Sequence, residues 1–240
     1  MNVLAIGNSF SEDATRYLHA IAKADGEILN VANLYIGGCT LERHYRNMLS
    51  GERVYELQYN GEKTGFSVSL SEALLNRKWD VITIQQASAL SFIPDSYEPY
   101  LTELVAFIRK CSPKAKFYLH ETWFYEDGSE KLTNLKRFES PEEMLKAIIP
   151  AYESAAKRHG ADGLIRSGEV MLELAKKYKL RLHRDGFHAS LGIGRYAIAL
   201  TWYKTLTSKD VTGNTFSDYD EPVSSDEIAA IKETVNSLII

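Results

Sequence analysis

Short apolar runs alternate along the chain with stretches of helical period. Residues 2–6 form an apolar run of strand length, closed by Gly7 and Asn8. From Ser9 the period changes. Ala14, Tyr17, Leu18, Ile21 and Ala22 fall on one face of a helix that ends at Gly26. A second strand is expected over 29–36, ended by Gly37 and Gly38, then a helix over 40–49 with Leu41, Tyr45 and Met48 on one side. The run 81–85 reads as a third strand, of the kind found in a sheet covered on both faces. Residues 116–120 and 161–165 supply a fourth and a fifth. Between the third and fourth, a helix carries Leu101, Leu104, Val105 and Ile108 inward and stops before Pro113. Ser140, Pro141 and Glu143 mark a further helix start, and Pro150 is expected to kink that helix. Three helices follow: one with Val170, Met171, Leu174 and Tyr178 inward, one over about 188–206, and a last one. The last starts at Ser224 or Ser225, with Glu227 closing its capping box and Ile228, Ile231, Val235 and Leu238 inward.

Two stretches interrupt the alternation. Tyr59-Asn60-Gly61-Glu62, between two alternating segments, predicts a small hairpin within 54–69, followed by a short helix near 70–76. Residues 126–139 are polar, charged and aperiodic. A loop of that length after a strand's carboxyl end is either a lid or a solvated insertion. Five strands alternating with helices predict a single α/β domain over 1–240, a three-layer α/β/α sandwich on a five-stranded parallel sheet. The hairpin and the long loop decorate it.

Composition narrows the function classes. The 240 residues, 45% hydrophobic and 25% charged, suffice for the core of one such domain. A net charge of -4 with scattered basic residues leaves no nucleic-acid footprint. No apolar run reaches membrane-spanning length, and no signal peptide precedes the first strand. The expected location is the cytoplasm, or a secreted or periplasmic one if an export segment has been removed. Cys39 and Cys111 are too few for a disulfide framework or a cysteine metal cluster. Cys39 reads as a small buried apolar residue, with no histidine tied to it by sequence. His19, His44, His120, His159 and His183 lack metal-ligand spacing, and His120-Glu121-Thr122-Trp123 lacks the second histidine of a zinc-protease motif. No metal or cofactor is therefore expected.

Ser9 lies between the carboxyl end of a strand and the amino end of a helix, where open α/β sheets place ligands and where helix N–H groups favour negative charge. Ser9-Phe10-Ser11-Glu12 also fits a plain capping box. Asp185 and His188 are three apart, so one turn of backbone presents both to the same side. A nucleophilic serine needs a base, and that base needs a carboxylate to orient it; Ser9, His188 and Asp185 supply one of each. In the plainer reading Asp185 caps a turn and His188 packs at a helix start.

Taken together, these blocks resemble the SGNH (GDSL-like) hydrolase superfamily, in particular its carbohydrate-esterase-like branch. Gly7-Asn8-Ser9-Phe10-Ser11 is similar to its first block, Gly38 to its second and Asp185-Gly186-Phe187-His188 to its last, in the right order and after the corresponding strands. The resemblance implies a flavodoxin-like fold and a serine ester hydrolase with Ser9, His188 and Asp185 as its triad. It also implies an oxyanion hole from the N–H groups of Ser9 and Gly38. The superfamily's third block carries an asparagine; this chain has Gln85-Gln86-Ala87-Ser88 there, so Gln86 or Gln85 is expected to supply that amide. Trp123, Glu121 and Phe187, near the active edge, are the expected substrate-facing residues, aromatic faces suiting sugar rings as well as acyl chains. O-acetylated carbohydrate is the implied substrate. The alternatives are a lipid or thioester acyl hydrolase of the same superfamily and a non-catalytic carbohydrate-binding relative.

Overall fold

The computed structural model describes residues 1–239. Its centre is a strand that is apolar after its first residue: β1 (Asn2–Gly7), in which Val3, Leu4, Ala5 and Ile6 are all buried. A strand buried on both faces needs parallel neighbours covered by helices. β1 has them in β2 (Asn30–Tyr35) on one side and β5 (Val81–Ile84) on the other, followed outward by β6 (Lys116–Glu121) and β7 (Gly163–Arg166).

The sheet has seven strands rather than five. The predicted hairpin forms, as β3 (Tyr55–Tyr59) and β4 (Glu62–Val68) around Asn60 and Gly61, both at positive φ. It is not a decoration. β3 pairs antiparallel with β2, so the order is β4-β3-β2-β1-β5-β6-β7 and the sheet is mixed. β2 would otherwise be an open edge, and the hairpin moves that edge outward to the largely exposed β4.

Helices cover both faces. In one layer α9 (Ile193–Thr207) packs against α1 (Ser9–Thr15), α2 (Leu18–Ala24), α8 (Ser167–Lys177) and α10 (Ser225–Leu238). In the other, α5 (Tyr100–Cys111) packs against α3 (Leu41–Ser50) and α4 (Leu70–Leu75). α7 (Pro141–His159) lies along β6 and β7 and continues through Pro150. Every apolar residue foreseen on α5 is buried. Tyr178, just past the end of α8, stays half-exposed; on α10, Leu238 is exposed and Ile228 half-buried.

Other differences have local causes. The first helix is two, broken at Arg16 and Tyr17, where the Tyr17 hydroxyl is drawn to the Leu191 carbonyl. α9 begins at Ile193 rather than 188, because residues 183–190 form their own small loop, with Ser190 N–H donating to the Leu182 carbonyl. The 126–139 stretch contains a short helix, α6 (Glu130–Leu135), capped by Ser129. On α3 it is His44, not Tyr45 or Met48, that is buried beside Leu41. Among the described residues, no helix is long and apolar enough to cross a membrane.

Candidate active site

Parallel strands end together, and β1 and β5 diverge in connectivity at this edge: the chain leaves β1 towards β2 and later returns to β5 on the other side. Such a switch point opens a crevice at the carboxyl ends of the strands. Here it is a cleft of about 530 Å³. Its lining comes from the turns after β1 (Ser9, Glu12), β2 (Gly38, Thr40) and β5 (Ala87, Ser88), with Tyr125, Phe187 and His188 opposite.

Ser9 opens α1, but it is not the cap. Asn8 holds that position, its side-chain oxygen accepting from Phe10 N–H at 3.0 Å. The Ser9 hydroxyl is thereby free, and it lies 2.8 Å from His188 Nε2. His188 Nδ1 is 2.7 Å from Asp185 Oδ2, while Asp185 Oδ1 accepts the His188 N–H at 2.9 Å. The carboxylate therefore both closes the turn and orients the ring. Partial burial works to raise the Asp185 carboxyl, but the hydrogen bonds from the His188 ring and backbone outweigh it and hold it below the usual aspartate range.

The acid–base loop is anchored from behind. Asp13 on α1, fully buried, accepts Arg184 at 2.9 Å, Arg195 at 2.8 Å and the Ala189 N–H at 3.2 Å. Arg184 and Ala189 flank the Asp185–His188 turn. Trp123 reinforces it from the other side, its indole N–H donating to the Phe187 carbonyl at 2.8 Å while its ring stacks on Phe10 with centroids 4.0 Å apart.

Gly38 stands in a tight turn, with Cys39 N–H returning to the Ile36 carbonyl and φ of +61° at Gly38 itself. That left-handed conformation suits glycine. Among the described residues, no intramolecular acceptor takes the N–H of Gly38 or of Ser9. Both residues line the cleft, and both amides are left without an internal partner there.

Four expected site residues do not reach the cleft. Gln86 is turned inward: its oxygen accepts from Leu41 N–H and Ala87 N–H, and its nitrogen donates to the Ser96 carbonyl. Gln85 is buried behind Asn8, to whose side-chain oxygen it donates at 2.9 Å. Trp123 is fully buried as a buttress rather than a substrate platform. Glu121 is fully buried with neither carboxyl oxygen hydrogen-bonded, and burial pushes its carboxyl up to about 8. A side chain this completely withdrawn cannot contact a ligand in the cleft. Phe187, by contrast, lines it.

The polar group that the third block does present to the cleft is Ser88, its hydroxyl 3.0 Å from that of Tyr125. Asn8 and Asp13 are site-building residues that the sequence reading passed over. Asn8 carried a usable signal, since asparagine ranks with serine as an N-cap. Asp13 carried none, because its partners are more than 170 residues away. Cys39 is buried, and that burial pushes its thiol up to about 12, which suits a packing role. A histidine does accompany it: His44 Nδ1 lies 3.5 Å from its sulfur and 3.0 Å from the Tyr55 hydroxyl.

The sequence model of a family described as a domain of unknown function, DUF4886, matches residues 2–236. No curated protein matches the chain. Among solved structures, a DUF4886 family protein from Bacteroides uniformis is similar at 36% identity and a TM-score of 0.93, over 100% of this chain and 94% of that one. A protein described as a candidate SGNH hydrolase from Slackia heliotrinireducens is similar at 24% identity and a TM-score of 0.62, over 86% and 98% of the two chains. The acetylxylan esterase Axe2 from Geobacillus stearothermophilus follows at 14% identity and a TM-score of 0.57, over 85% and 92%. At such identities the last two share the fold.

Proposed function

The chain belongs to the DUF4886 family, and on the geometry of its cleft we propose that it is a serine ester hydrolase of the SGNH type. The observation that carries this reading is the unbroken line from Ser9 through His188 to Asp185 at the wall of an open cleft, beside two free backbone amides. His188 Nε2 takes the proton as Ser9 Oγ attacks the ester carbonyl, and the N–H groups of Ser9 and Gly38 receive the oxyanion. Collapse expels the alcohol, protonated by His188, and leaves an acyl group on Ser9. Water, deprotonated by His188, then releases the carboxylic acid. Asp185 holds the imidazole in the tautomer that both half-reactions use.

The substrate we infer is an O-acetylated carbohydrate. The cleft is open, with Glu12, Tyr35 and Thr40 in its lining, which suits hydroxyl-rich groups, and Phe187 and Tyr125 add aromatic lining. The fold is shared with a protein named as an acetylxylan esterase.

Labelling with a fluorophosphonate probe tests the chemistry. Wild type should label, and Ser9→Ala should lose both labelling and esterase turnover, the latter by roughly a millionfold. Acetate release from acetylated oligosaccharides should exceed hydrolysis of longer acyl esters. Activity rising with acyl length would shift the substrate to lipids or thioesters. A folded wild type that the probe does not touch would overturn the hydrolase and leave a carbohydrate-binding protein.

A further inference from the structure

A continuous line of buried polar side chains crosses the parallel part of the sheet just behind Ser9. Asn8 follows β1, Gln85 follows β5, His120 lies on β6 and Ser167 opens α8 after β7. None is more than 2% exposed. Ser167 Oγ is 3.0 Å from His120 Nε2, and His120 Nδ1 is 2.8 Å from Gln85 Oε1. Gln85 Nε2 donates to Asn8 Oδ1 at 2.9 Å, and Asn8 Nδ2 donates to the Cys39 carbonyl, beyond β2, at 3.1 Å. The line thus touches all five parallel strands in spatial order.

Only one set of donor roles satisfies every member. The Cys39 carbonyl can only accept and the Phe10 N–H can only donate, so Asn8 must turn its nitrogen to the first and its oxygen to the second. Gln85 must then donate to Asn8 and present its oxygen to His120. The ring therefore carries its proton on Nδ1 and accepts the Ser167 hydroxyl at Nε2. Every donor points the same way, from β7 towards β2, an arrangement in which neighbouring hydrogen bonds polarise and strengthen one another. Burial also pushes the His120 imidazole down to about 3, so the ring stays neutral at any working pH.

We propose that Ser167, His120, Gln85 and Asn8 form a one-way hydrogen-bond chain whose task is to fix the spacing of the Ser9 and Gly38 amides. This rests on the esterase reading above. Asn8 supplies the side chain that bridges the two turns that carry those amides, alongside the Ile36 N–H to Gly7 carbonyl bond: its backbone and side chain set the start of α1, and its amide ties down Cys39, beside Gly38. With both glutamines withdrawn from the cleft, the oxyanion hole depends on two backbone groups, and their relative placement decides its strength. Gln85 and His120 are positioning residues that act through Asn8.

The test compares Asn8→Asp, Gln85→Met and Ser167→Ala with wild type, using p-nitrophenyl acetate kinetics, fluorophosphonate labelling rates and thermal melting. Asn8→Asp keeps the helix cap but cannot donate to Cys39; kcat should fall roughly ten- to a hundredfold with KM within about twofold, and Gln85→Met should do the same. Ser167→Ala, at the far end, should give a smaller loss in the same direction. Folded Asn8→Asp and Gln85→Met proteins with wild-type kcat would overturn the proposal, and if Gln85→Met does not fold, Asn8→Asp and Ser167→Ala carry the test. An independent readout is the ¹⁵N spectrum of His120, which should show a neutral ring protonated on Nδ1; the opposite tautomer would refute the chain. A wild type that neither labels nor turns over would end the esterase reading, while the His120 spectrum would still judge the chain's direction.

Discussion

Asn8 and Ser9 divide two tasks that either side chain could have taken. Both residue types cap helices well. Because Asn8 accepts the Phe10 N–H, the Ser9 hydroxyl is left to face His188. The nearby Glu121 is the opposite case, a buried carboxyl with no well-aligned hydrogen bond, only the backbone at Gly168 and Glu169 beside it. Burial pushes its carboxyl from 4.5 to about 8, so between those values the folded protein holds a proton that the unfolded chain releases. When the native state binds more protons, stability falls as pH rises. Wild type should therefore lose stability from about pH 5 to pH 8 at this residue. Glu121→Gln, neutral throughout and of similar size, should not, so the variant should gain on wild type by roughly 2–4 kcal/mol across that interval in urea titrations. A difference that does not change with pH would show Glu121 to be ionised in the fold.

Whole elements were readable where their instructions are local. Ser69 with Glu72 and Ser224 with Glu227 close capping boxes at the starts of α4 and α10, as their spacing indicates. The hairpin announced its turn through Asn60-Gly61. What the hairpin would do was not readable, because its pairing with β2 is decided by partners far off in the chain, such as Asn33 with Gln58, 25 residues apart. The 183–189 loop likewise looked helical in part, since nothing near His188 in sequence reveals that its neighbours bind Asp13 on α1. That loop also leans on the 126–139 segment. Glu126 N–H donates to the Gly186 carbonyl at 2.7 Å, and Gly186 has a φ of +86° with room for no side chain: a Cβ there would come within 2.8 Å of Ser129. Gly186→Ala should cost about 1–3 kcal/mol in stability and lower kcat by disturbing the Asp185–His188 turn. An alanine variant with wild-type melting and turnover would show that the two segments are not coupled.

Across the whole molecule, one charged cluster ties the ends of the chain to its centre. Asp13 binds Arg184 and Arg195; Arg195 also reaches Asp220, which binds Arg16, which in turn meets Glu62 on the hairpin. Removing the fully buried member leaves two guanidinium groups short of a partner, so Asp13→Ala should lower stability by about 3–5 kcal/mol and activity with it. Glu62→Ala at the exposed rim should cost less than about 1 kcal/mol. Equal losses in denaturant titrations would refute this hierarchy. The sequence by itself determined the α/β alternation, the hairpin, the helix boundaries set by caps, and the turn that joins Asp185 to His188. Each of those follows from periodicity or from contacts within a few residues. The tertiary structure alone decided that Ser9 meets His188 across 179 positions, that Gln85 serves Asn8 rather than the cleft, and that Trp123 and Glu121 are withdrawn. A side chain's direction at a strand end is set by what the neighbouring strands place beside it, and those neighbours are assembled only when the sheet forms.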